Sequence, residues 1–562
     1  MLGTDFFNFG QLFWSFGVAF VVFVVYKVAN LIYDEFTSSL RDLPGPPSRN
    51  FMFGNMQELG LTKWEQQYGS TIKYKGFFGT TYFYSTDLKA MNHILMNNYE
   101  FLKPNPNIYI FKRILGDGLV FADGDVHKKQ VSTFCHKTTS REILHLYLDY
   151  ATLNYCRLKN PGFAPQQIRE VTDLFVEKTA VLRDIWAEKL SQKSSEEPEV
   201  IDVLSWFSRL ALDIIGIAGF DYNFDALVDD PSKNELGNAF AITSNVEDRI
   251  NFIGFLKFIF PSLSFLPGDA DPEGKRAADT LYRIAAELLE KSKAAIRKAD
   301  GKSTLSRDIL TLLVRANELD DVPESQRLTD KEVIAQIPTF LIAGHETTAV
   351  ALAWMFYALT QNKNAQRKLR EEVSNVATDN PSMDELNDLP YLDYVVRESL
   401  RLHGPVPATS RVVGQDTFVP LSKPVVDKKG VVHNEIRLQK GQRVMVPVIV
   451  VNQAKSIWGE DALEFRPERW ENIPEAASSI PGIWGNSMTF IGGPRACIGW
   501  KFAVVEMKVV LFTMMRAFEF DLAVPGEDIG TQKFTLRRPV LKNETDRKKR
   551  EQMPLIVRPV GY

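Results

Sequence analysis

A nearly unbroken apolar stretch lies near the start of the chain, from Leu12 to Tyr33, and Ser15, Lys27 and Asn30 are its polar residues. At 1.5 Å per residue, a helix of this length can cross about 30 Å of hydrocarbon. No basic segment precedes the stretch and no small-residue cleavage site follows it, which argues against a cleaved signal peptide. The pattern therefore predicts an N-terminal membrane anchor.

The charges on either side of this stretch predict its orientation. No Lys or Arg precedes it, whereas Arg41 and Arg49 follow, and an excess of basic residues marks the cytosolic side of a membrane. Residues 44–47 read Pro-Gly-Pro-Pro, a stiff connection between the membrane and the soluble body. The expected organisation is a luminal tip and anchor over 1–33, a Pro-rich hinge over 34–50, and a cytosolic domain over 51–562.

Beyond the hinge, a short region of β pattern gives way to a mostly helical one. Residues 72–75 and 82–85 read as short strands, and residues 87–98 as a helix. Helical periodicity continues most clearly over 168–190, 203–217, 277–298, 330–360 and 392–402. Capping boxes are expected at Thr329 with Glu332 and at Ser382 with Glu385. The predicted fold class is mainly α with minor β.

Composition narrows the class of protein further. The 562 residues are 45% hydrophobic and 24% charged, which excludes a disordered chain. The net charge of -4, spread along the chain, makes nucleic acid an unlikely partner, so we expect none. The three cysteines, Cys135, Cys156 and Cys497, cannot form a disulfide framework and indicate a reducing compartment. An odd cysteine in such a set predicts one working thiol.

The most specific signal is a Gly/Pro-rich turn, FIGGPRACIG over residues 490–499, directly before the apolar helical run 500–515. Glycines on both sides of Cys497 let backbone N–H groups approach its sulfur and tune a metal bound there. A thiol has an ordinary pKa near 8.5, so a metal or a helix N-terminus is needed to hold it ionised. A lone cysteine is more often an inert core residue, so the turn alone leaves metal binding by Cys497 open.

This turn resembles the haem-binding loop of the cytochromes P450, the haem-thiolate monooxygenases, and of their microsomal, fungal members in particular. Every fixed position of the family's F-x-x-G-x-R-x-C-x-G pattern is present. The resemblance implies a cytochrome P450 fold, an α/β prism, that holds haem b. It also implies these roles: Cys497 as axial iron ligand, Arg495 on a haem propionate, Phe490 beside the sulfur, and Gly493 and Gly499 where backbone and haem approach closely.

A second motif, AGHETT over residues 343–348, lies within the long helix predicted from Thr329 and resembles the family's distal helix. By that resemblance the glycine opens a notch for dioxygen, and Glu346 and Thr347 are catalytic because they relay protons. Heterolytic cleavage of an O–O bond needs protons delivered into an apolar pocket that excludes water. Flanking apolar residues argue against a solvated helix face.

Two further motifs resemble structural parts of the family. Glu398 and Arg401 lie at i and i+3 on one helix, where they can pair side by side. The segment FRPERW over 465–470 resembles the one that completes a buried cluster, with Arg469 as its second arginine. Between these motifs, Arg411 is the candidate for a further propionate contact.

One departure from the family pattern lies on an earlier helix. His127 matches a propionate-binding position, but Val131 stands four residues later where the family has an arginine. Removing residues 131–156 joins Gln130 to Arg157 and restores the spacing. We favour an unspliced, in-frame intron, since a genuine insertion should not divide a ligand-binding helix; a surface insertion is the alternative.

The resemblance implies the function and its partners. The chain is expected to insert one oxygen atom of dioxygen into a small apolar substrate, with electrons passed from NADPH by a separate reductase. Cytochrome b5 is a further candidate partner, and the location is expected to be the endoplasmic reticulum membrane, with a single span. The alternatives are a haem-thiolate isomerase or dehydratase, or a non-catalytic haem binder inactivated by residues 131–156. The substrate and the pathway are not specified by the sequence.

Overall fold

The helices and strands are those of a computed structural model that describes most of the chain. The described residues are 36–56, 63–104, 118–135, 163–192, 198–228, 234–244, 271–298, 308–317, 327–532 and 536–560, with the single residues 18, 22, 25, 26, 29, 33 and 253. The described helices are α1 (Lys63–Tyr68), α2 (Leu88–Met96), α3 (Gly124–Cys135), α4 (Pro165–Gln192), α5 (Val203–Phe220), α6 (Glu235–Ser244), α7 (Pro272–Lys298), α8 (Ile309–Asn317), α9 (Asp330–Gln361), α10 (Lys363–Ser374), α11 (Met383–Asn387), α12 (Pro390–His403), α13 (Val448–Asn452), α14 (Lys455–Trp458), α15 (Trp500–Ala517) and α16 (Arg547–Arg550). The described strands are β1 (Thr71–Lys75), β2 (Thr81–Ser85), β3 (Phe101–Leu102), β4 (Glu199–Asp202), β5 (Thr409–Val413), β6 (Thr417–Val426), β7 (Val432–Leu438), β8 (Arg443–Val446), β9 (Phe518–Leu522), β10 (Ile529–Thr531), β11 (Pro539–Leu541) and β12 (Pro554–Pro559). The prediction of a mainly helical chain with minor β structure is confirmed.

The chain divides into two compact units. The first contains Met1–Ile94 and Ser410–Pro447, and the second contains Leu95–Thr409 and Val448–Tyr562. This division is not marked by a linker in the sequence. The expected bounds of the anchor, the hinge and the catalytic domain stay predictions.

The first unit is built on a sheet. Strands β1 and β2 are antiparallel, with Thr71 opposite Ser85, and β2 pairs with β8 in parallel. Strand β5 follows β8 in the sheet order, and β6 and β7 form a separate antiparallel pair. Trp64 of α1 packs against the buried Tyr74 and Tyr84. Tyr74 lies between the partly exposed Lys73 and Lys75, whereas residues 82–85 of β2 are all buried. The two strands predicted at residues 72–75 and 82–85 are present as β1 and β2, whereas β5 and β8 of the same sheet were not predicted.

The second unit is a helical core with small sheets at its edge. The long helix α9 begins at a complete capping box, in which the Thr329 hydroxyl accepts from the N–H of Glu332 and the Glu332 carboxylate accepts from the N–H of Thr329. The same arrangement joins Ser382 and Glu385 before α11. Both capping boxes were predicted and both are confirmed. Strand β12 lies between β4 and β9.

The five helices predicted in the second unit are all present, and their observed ends differ from the predicted ends by a few residues. Helix α5 packs against α9, and both are apolar over most of their surface. Such helices are buried from nearly all sides, which fits their central place in the core. Helix α15, which follows Cys497, packs against α4.

Within the described part of the chain, one helix is long and apolar enough to cross a membrane, and it is α5. Because 67% of that helix is buried within the protein, we assign it to the core and not to a membrane span. Most of the predicted anchor, residues 12–33, lies outside the described residues. Those that are described, at positions 18, 22, 25, 26, 29 and 33, are helical and exposed. The N-terminal span therefore stays a prediction.

The proposed interruption at residues 131–156 is described only at its start. Helix α3 continues without a break from Gln130 through Val131 to Cys135. The rest of the segment and Arg157 lie outside the described residues.

Candidate active site

The backbone of the Gly/Pro-rich turn is folded tightly around Cys497. The Cys497 N–H donates to the carbonyl oxygen of Phe490 at 2.9 Å, which closes the loop between the two residues. A short 3₁₀ turn spans Gly493–Arg495, and α15 starts three residues after the cysteine. Cys497 itself is exposed. The loop thus presents a sulfur ahead of a helix N-terminus, where the positive end of the helix dipole favours a thiolate.

Close backbone packing explains two glycines of this loop. Gly493 has a φ of +70°, a left-handed conformation that L side chains rarely adopt. A Cβ atom at Gly493 would overlap the carbonyl oxygen of Leu95, and one at Gly492 would overlap that of Pro481. Gly499 differs, because a Cβ there would meet the Phe163 ring at an ordinary 3.6 Å. Gly492 and Gly493 are therefore required by the fold of the loop itself.

Arg495 points into the protein and not into solvent. Its side chain is 3% exposed and pairs with the carboxylate of Asp123, while Nη1 donates to the carbonyl oxygen of Ala122. Burial lowers the pKa of the guanidinium, and the Asp123 charge opposes that shift. A buried guanidinium is a strong partner for a carboxylate, so this residue fits a haem propionate. Asp123 was not singled out in the sequence.

Aromatic side chains support the loop on the side of Phe490. The Phe490 ring packs edge-to-face on Trp484 at 5.7 Å between centroids, and Trp484 lies 6.3 Å from Trp500. The guanidinium of Arg397 stands 4.9 Å above the Trp484 ring. These contacts fix Phe490, which is itself buried, relative to the start of α15.

The other residues predicted to contact the propionates are His127, Arg157 and Arg411, and the structure describes two of them. His127 is buried on α3, in the same unit as Cys497. Arg157 lies outside the described residues. Arg411 is buried on β5 in the other unit, where its Nη1 donates to the carbonyl oxygen of Ser410. Of the predicted iron ligand and propionate contacts that the structure describes, Cys497, Arg495 and His127 therefore lie in the second unit.

The distal motif forms one turn of α9. The Thr347 hydroxyl donates to the carbonyl oxygen of Ala343, one turn earlier, at 2.6 Å. Ala343 is exposed and Thr347 is partly exposed, so this is the open face of the helix. Gly344 faces a neighbouring helix, because a Cβ atom on it would lie 3.0 Å from the side chain of Ile215 on α5. The glycine thus allows α5 and α9 to pack closely, whereas the sequence resemblance indicated an open notch.

Glu346 is paired with an arginine from the C-terminal part of the chain. Arg538 Nη2 lies 2.7 Å from Glu346 Oε2, and Arg538 Nη1 lies 2.7 Å from Glu551 Oε2. Burial lowers the pKa of Arg538, but the two carboxylates outweigh it and raise the pKa above its ordinary value. We call these three residues the distal bridge. Arg538 and Glu551 were not predicted, because nothing local in the sequence connects them to Glu346.

His345, the residue before Glu346, is buried and does not lie on the open face of α9 that carries Ala343 and Thr347. Its Nε2 lies 2.6 Å from the hydroxyl of Ser208 on α5. Burial lowers the pKa of the imidazole to about 4, with Arg538 acting in the same direction and Glu346 opposing it. The ring is therefore neutral at physiological pH and contributes packing and a hydrogen bond to the contact between α5 and α9.

The three residues predicted to form a buried cluster lie together. Arg401 and Glu398 make a two-pronged contact, with Nε to Oε2 at 2.9 Å and Nη2 to Oε1 at 2.8 Å. Arg469 Nε lies 3.3 Å from Glu398 Oε1. All three side chains are at most 1% exposed. We call Glu398, Arg401 and Arg469 the buried cluster.

Backbone groups and one further side chain complete the buried cluster. Arg401 Nη1 donates to the carbonyl oxygens of Asn452 and Ala462. Arg469 Nη1 donates to Asp461 Oδ1 at 2.8 Å. Burial lowers the pKa of Arg469, but Asp461 and the Glu398 charge outweigh it and raise the pKa overall. A buried ion pair is tolerated only when its remaining donors and acceptors are satisfied in this way.

Comparison with known proteins identifies the family. A family model described as Cytochrome P450 matches residues 156–544. The chain belongs to the cytochrome P450 family. It is 43% identical over 558 residues to cytochrome P450 monooxygenase 205 of Postia placenta and 42% identical over 563 residues to cytochrome P450 monooxygenase 128 of the same fungus, covering 97% of each chain in both cases. It is also 31% identical over 540 residues to cytochrome P450 monooxygenase claW of Ampulloclitocybe clavipes, covering 93% of each chain.

Membership of the cytochrome P450 monooxygenases makes the chain an oxidoreductase with general haem monooxygenase activity. The residues around Cys497 fit the haem of this family, because a thiolate suits iron and a buried guanidinium suits a propionate. The cytochrome P450 fold, mostly helical with some strands, agrees with the architecture of the described residues.

Proposed function

We propose that this cytochrome P450 inserts one oxygen atom of dioxygen into a small apolar substrate, with electrons from NADPH passed by a separate reductase. Exposed Cys497, in a loop whose backbone is fixed around it, carries the proposal. The buried guanidinium of Arg495 beside it supports the same assignment. Relatives that are 43% and 42% identical are named cytochrome P450 monooxygenases, which supports the reaction class.

The residues that would hold haem b come from the Cys497 loop and its surroundings. Cys497 would bind the haem iron, and Arg495, His127 and Arg157 would contact the propionates, with Arg411 of the first unit a further candidate by resemblance to the family. Phe490, Gly493 and Gly499 would shape the surface beside the ligand. Glu398, Arg401 and Arg469 would keep this part of the core rigid, because all three side chains are buried and Asp461 provides a second carboxylate for Arg469.

Bound there, haem supplies the binding and activation of dioxygen. Glu346 and Thr347 supply protons to the distal side in this proposal. The Thr347 hydroxyl, held on the carbonyl of Ala343, can turn to donate its hydrogen outward and be reloaded by the carboxyl group of Glu346 or by water. Glu346 then regains its proton from solvent, and its pairing with Arg538 holds the carboxylate in one position between transfers.

The proposal includes attachment to the endoplasmic reticulum membrane through residues 12–33, with the catalytic part in the cytosol. Exposed apolar side chains support it, because Val22 and Val25 are each 61% exposed on a helix. A membrane would cover such side chains. Alkaline extraction of the full chain from microsomes tests the span: we expect it to stay with the membrane, and release into the supernatant would contradict an integral anchor. The reductase, and cytochrome b5 as a second donor, would dock from the cytosolic side.

We also propose that residues 131–156 interrupt the haem-binding part of the chain. The family-model match begins at Cys156, the last residue of this segment, which supports the proposal. The continuous helix from Gln130 to Cys135 is compatible with a genuine insertion. Sequencing of the mature transcript distinguishes the two: absence of these codons supports an intron, and a retained segment in a protein that binds haem fully would exclude it.

Carbon monoxide difference spectroscopy of the reduced protein tests the thiolate assignment. We expect the red-shifted Soret band of a thiolate-bound haem in the full chain or in the form that lacks residues 131–156. Cys497→Ser should abolish this band, whereas the matched controls Cys135→Ser and Cys156→Ser should keep it in the full chain. Absence of the band from both forms of the wild-type chain would refute the proposal.

Consumption of NADPH separates the monooxygenase from a haem-thiolate isomerase or dehydratase. A monooxygenase with added reductase should consume NADPH and dioxygen as product forms, whereas the alternative enzymes need neither. A panel of fatty acids, terpenoids and polycyclic aromatics, screened by the spin-state shift of the haem, would identify the substrate class. A haem binder without activity would show the Soret band and no turnover with any of them.

A further inference from the structure

The distal bridge shares one guanidinium between two carboxylates. Arg538 uses Nη2 for Glu346 and Nη1 for Glu551, each at 2.7 Å. The two donors lie on different nitrogens of one planar group, so neither carboxylate has to displace the other. The three groups carry one positive and two negative charges when all are ionised. One carboxylate can therefore leave, and the guanidinium still has a partner of opposite charge.

The backbone that carries Arg538 is fixed to the core. Trp354 Nε1 of α9 donates to the carbonyl oxygen of Arg537 at 2.6 Å, and the Arg537 N–H donates to the carbonyl oxygen of Pro405 at 2.8 Å. Arg537 Nη1 also donates to the carbonyl oxygen of Leu402. The main chain is thus held at Arg537, directly before Arg538, so the exchange of partners needs movement of side chains and not of this part of the backbone.

Exposure increases along the bridge from the helix outward. The side chain of Glu346 is 11% exposed, that of Arg538 is 23% exposed, and that of Glu551 is 32% exposed. The inner carboxylate therefore lies at the helix and the outer one in contact with water. His345, the other ionisable neighbour, is on the same turn of α9 and interacts with both Glu346 and Arg538.

We propose that Arg538 and Glu551 are positioning residues for Glu346. Arg538 fixes the orientation of the Glu346 carboxylate, on the residue before Thr347 in α9, and Glu551 keeps Arg538 paired whenever Glu346 takes up a proton and turns away. Without Glu551, each such movement would leave a partly buried guanidinium without a carboxylate partner, at a cost that its remaining contact with water reduces. The inference rests on the proposed proton role of Glu346. Only a proton moves, from solvent to Glu346 and on to Thr347, so no further co-reactant is required.

A double-mutant cycle on the free energy of unfolding tests the exchange of partners without reference to activity. We expect Glu346→Gln to cost little in the wild-type chain, because Glu551 still pairs with Arg538. In a Glu551→Gln background the same change should shift the folding equilibrium by about tenfold more, or about 1.4 kcal/mol, because Arg538 then loses both carboxylates. Additive effects of the two substitutions would overturn the proposal.

Turnover provides the second measurement. Arg538→Gln should reduce the product formed per NADPH consumed by about tenfold and raise the solvent deuterium isotope effect, and Arg538→Lys should restore part of both. The matched control is Arg558→Gln, which removes an exposed arginine paired with Asp521 in the same C-terminal region. A result for Arg538→Gln equal to that of the control would overturn the proposal.

The proposal can still be tested if Arg538→Gln does not fold or if the proposed function fails. If Arg538→Gln does not fold, Glu551→Gln alters only the partly exposed end of the bridge and should give a smaller change in the same direction; no change there would contradict the proposal. If the wild-type chain lacks the thiolate-type spectrum, the proposed function fails, whereas the unfolding cycle still decides whether the partners exchange.

Discussion

The buried cluster and the distal bridge are both built from glutamate and arginine, but their stoichiometry is reversed. In the buried cluster, one carboxylate, Glu398, serves two guanidinium groups, and backbone carbonyls and the partly exposed Asp461 accept from further donors. In the distal bridge, one guanidinium, Arg538, serves two carboxylates through contacts between side chains. Within the described residues, Glu398 is the only carboxylate paired with Arg401, whereas Arg538 is paired with two carboxylates.

The cost of losing one charge from each group depends on how deeply that group is buried. Removing one charge from a fully buried pair leaves the other uncompensated, which typically costs 3–5 kcal/mol. Where water reaches the pair, the cost falls to about 1 kcal/mol or less. The same two residue types can therefore lock a core or take part in proton chemistry, and their surroundings decide which.

The largest expected effect comes from removing the carboxylate of the buried cluster, Glu398. Glu398→Gln should lower the free energy of unfolding by about 3–5 kcal/mol, because both arginines lose their shared charge partner. Denaturant titration measures this loss, and the haem content of the purified protein should fall with it. The control is Glu371→Gln on α10, which breaks an exposed pair with Arg367 and should cost about 0.5 kcal/mol. Equal losses in the two variants would show that the cluster is not structural.

The distal bridge should show the opposite behaviour. Glu346→Gln should reduce product formation by about a hundredfold, since an amide cannot pass on a proton. The free energy of unfolding should change by about 1 kcal/mol or less, because Arg538 keeps Glu551. Turnover with added reductase and denaturant titration of the same preparation provide both values. A large loss of stability with unchanged turnover per folded molecule would reverse the roles of the two regions.

A pH titration probes the core beside the buried cluster through His403, two residues after Arg401. The ring stacks on Trp354 at 5.2 Å, and burial, with the charges of Arg537 and Arg401, lowers its pKa to about 3. The unfolded chain binds this proton near pH 6.5 and the folded chain does not, so stability is full above pH 6.5 and falls as the pH decreases toward 3.

His403→Phe should remove this dependence while keeping the stacked ring. Between pH 6 and pH 4 the free energy of unfolding of the variant should fall less steeply than that of the wild type, by about 1.4 kcal/mol per pH unit at most. Chemical denaturation at several pH values measures both slopes. Parallel slopes would mean that His403 becomes protonated in the folded protein.

The smallest expected effect lies at the edge of the buried cluster. Asp461 pairs with Arg469 but its side chain is 24% exposed, and the hydrogen bond from Arg469 lowers its pKa. Asp461→Asn should cost about 1 kcal/mol or less at neutral pH. Because the folded-state pKa is lowered, this contribution is present above about pH 4 and should disappear in stronger acid. A loss as large as that of Glu398→Gln would extend the rigid region to the surface.

The fold was largely predictable because its long helices carry strong periodic signals. The predicted start of α9 at Asp330 is correct, since Thr329 and Glu332 form a local capping box. The pairing of Glu398 with Arg401 was predicted from their spacing together with the family resemblance, because residues at i and i+3 lie side by side on a helix. Contacts that depend on short distances along the chain were thus within reach of the sequence.

Other parts of the site depend on contacts between distant segments. Arg538 and Glu346 are 192 positions apart, and Asp123 and Arg495 are 372 apart, so no local pattern connects either pair. Gly344 was expected to open a notch, but its place is set by Ile215 on another helix. Local sequence specifies which side chains are available, and tertiary packing specifies which of them meet.

Gly492 and Gly493 have no room for a Cβ atom because backbone carbonyls lie against them, and this limits which substitutions the motif around Cys497 tolerates. In a saturation library selected only for soluble protein, side chains at Gly492 and Gly493 should be eliminated before haem is ever tested. Gly499, with room for a Cβ beside Phe163, should vary under that selection and become restricted only when haem incorporation is required. Such a library would separate the part of the motif that serves folding from the part that serves the cofactor.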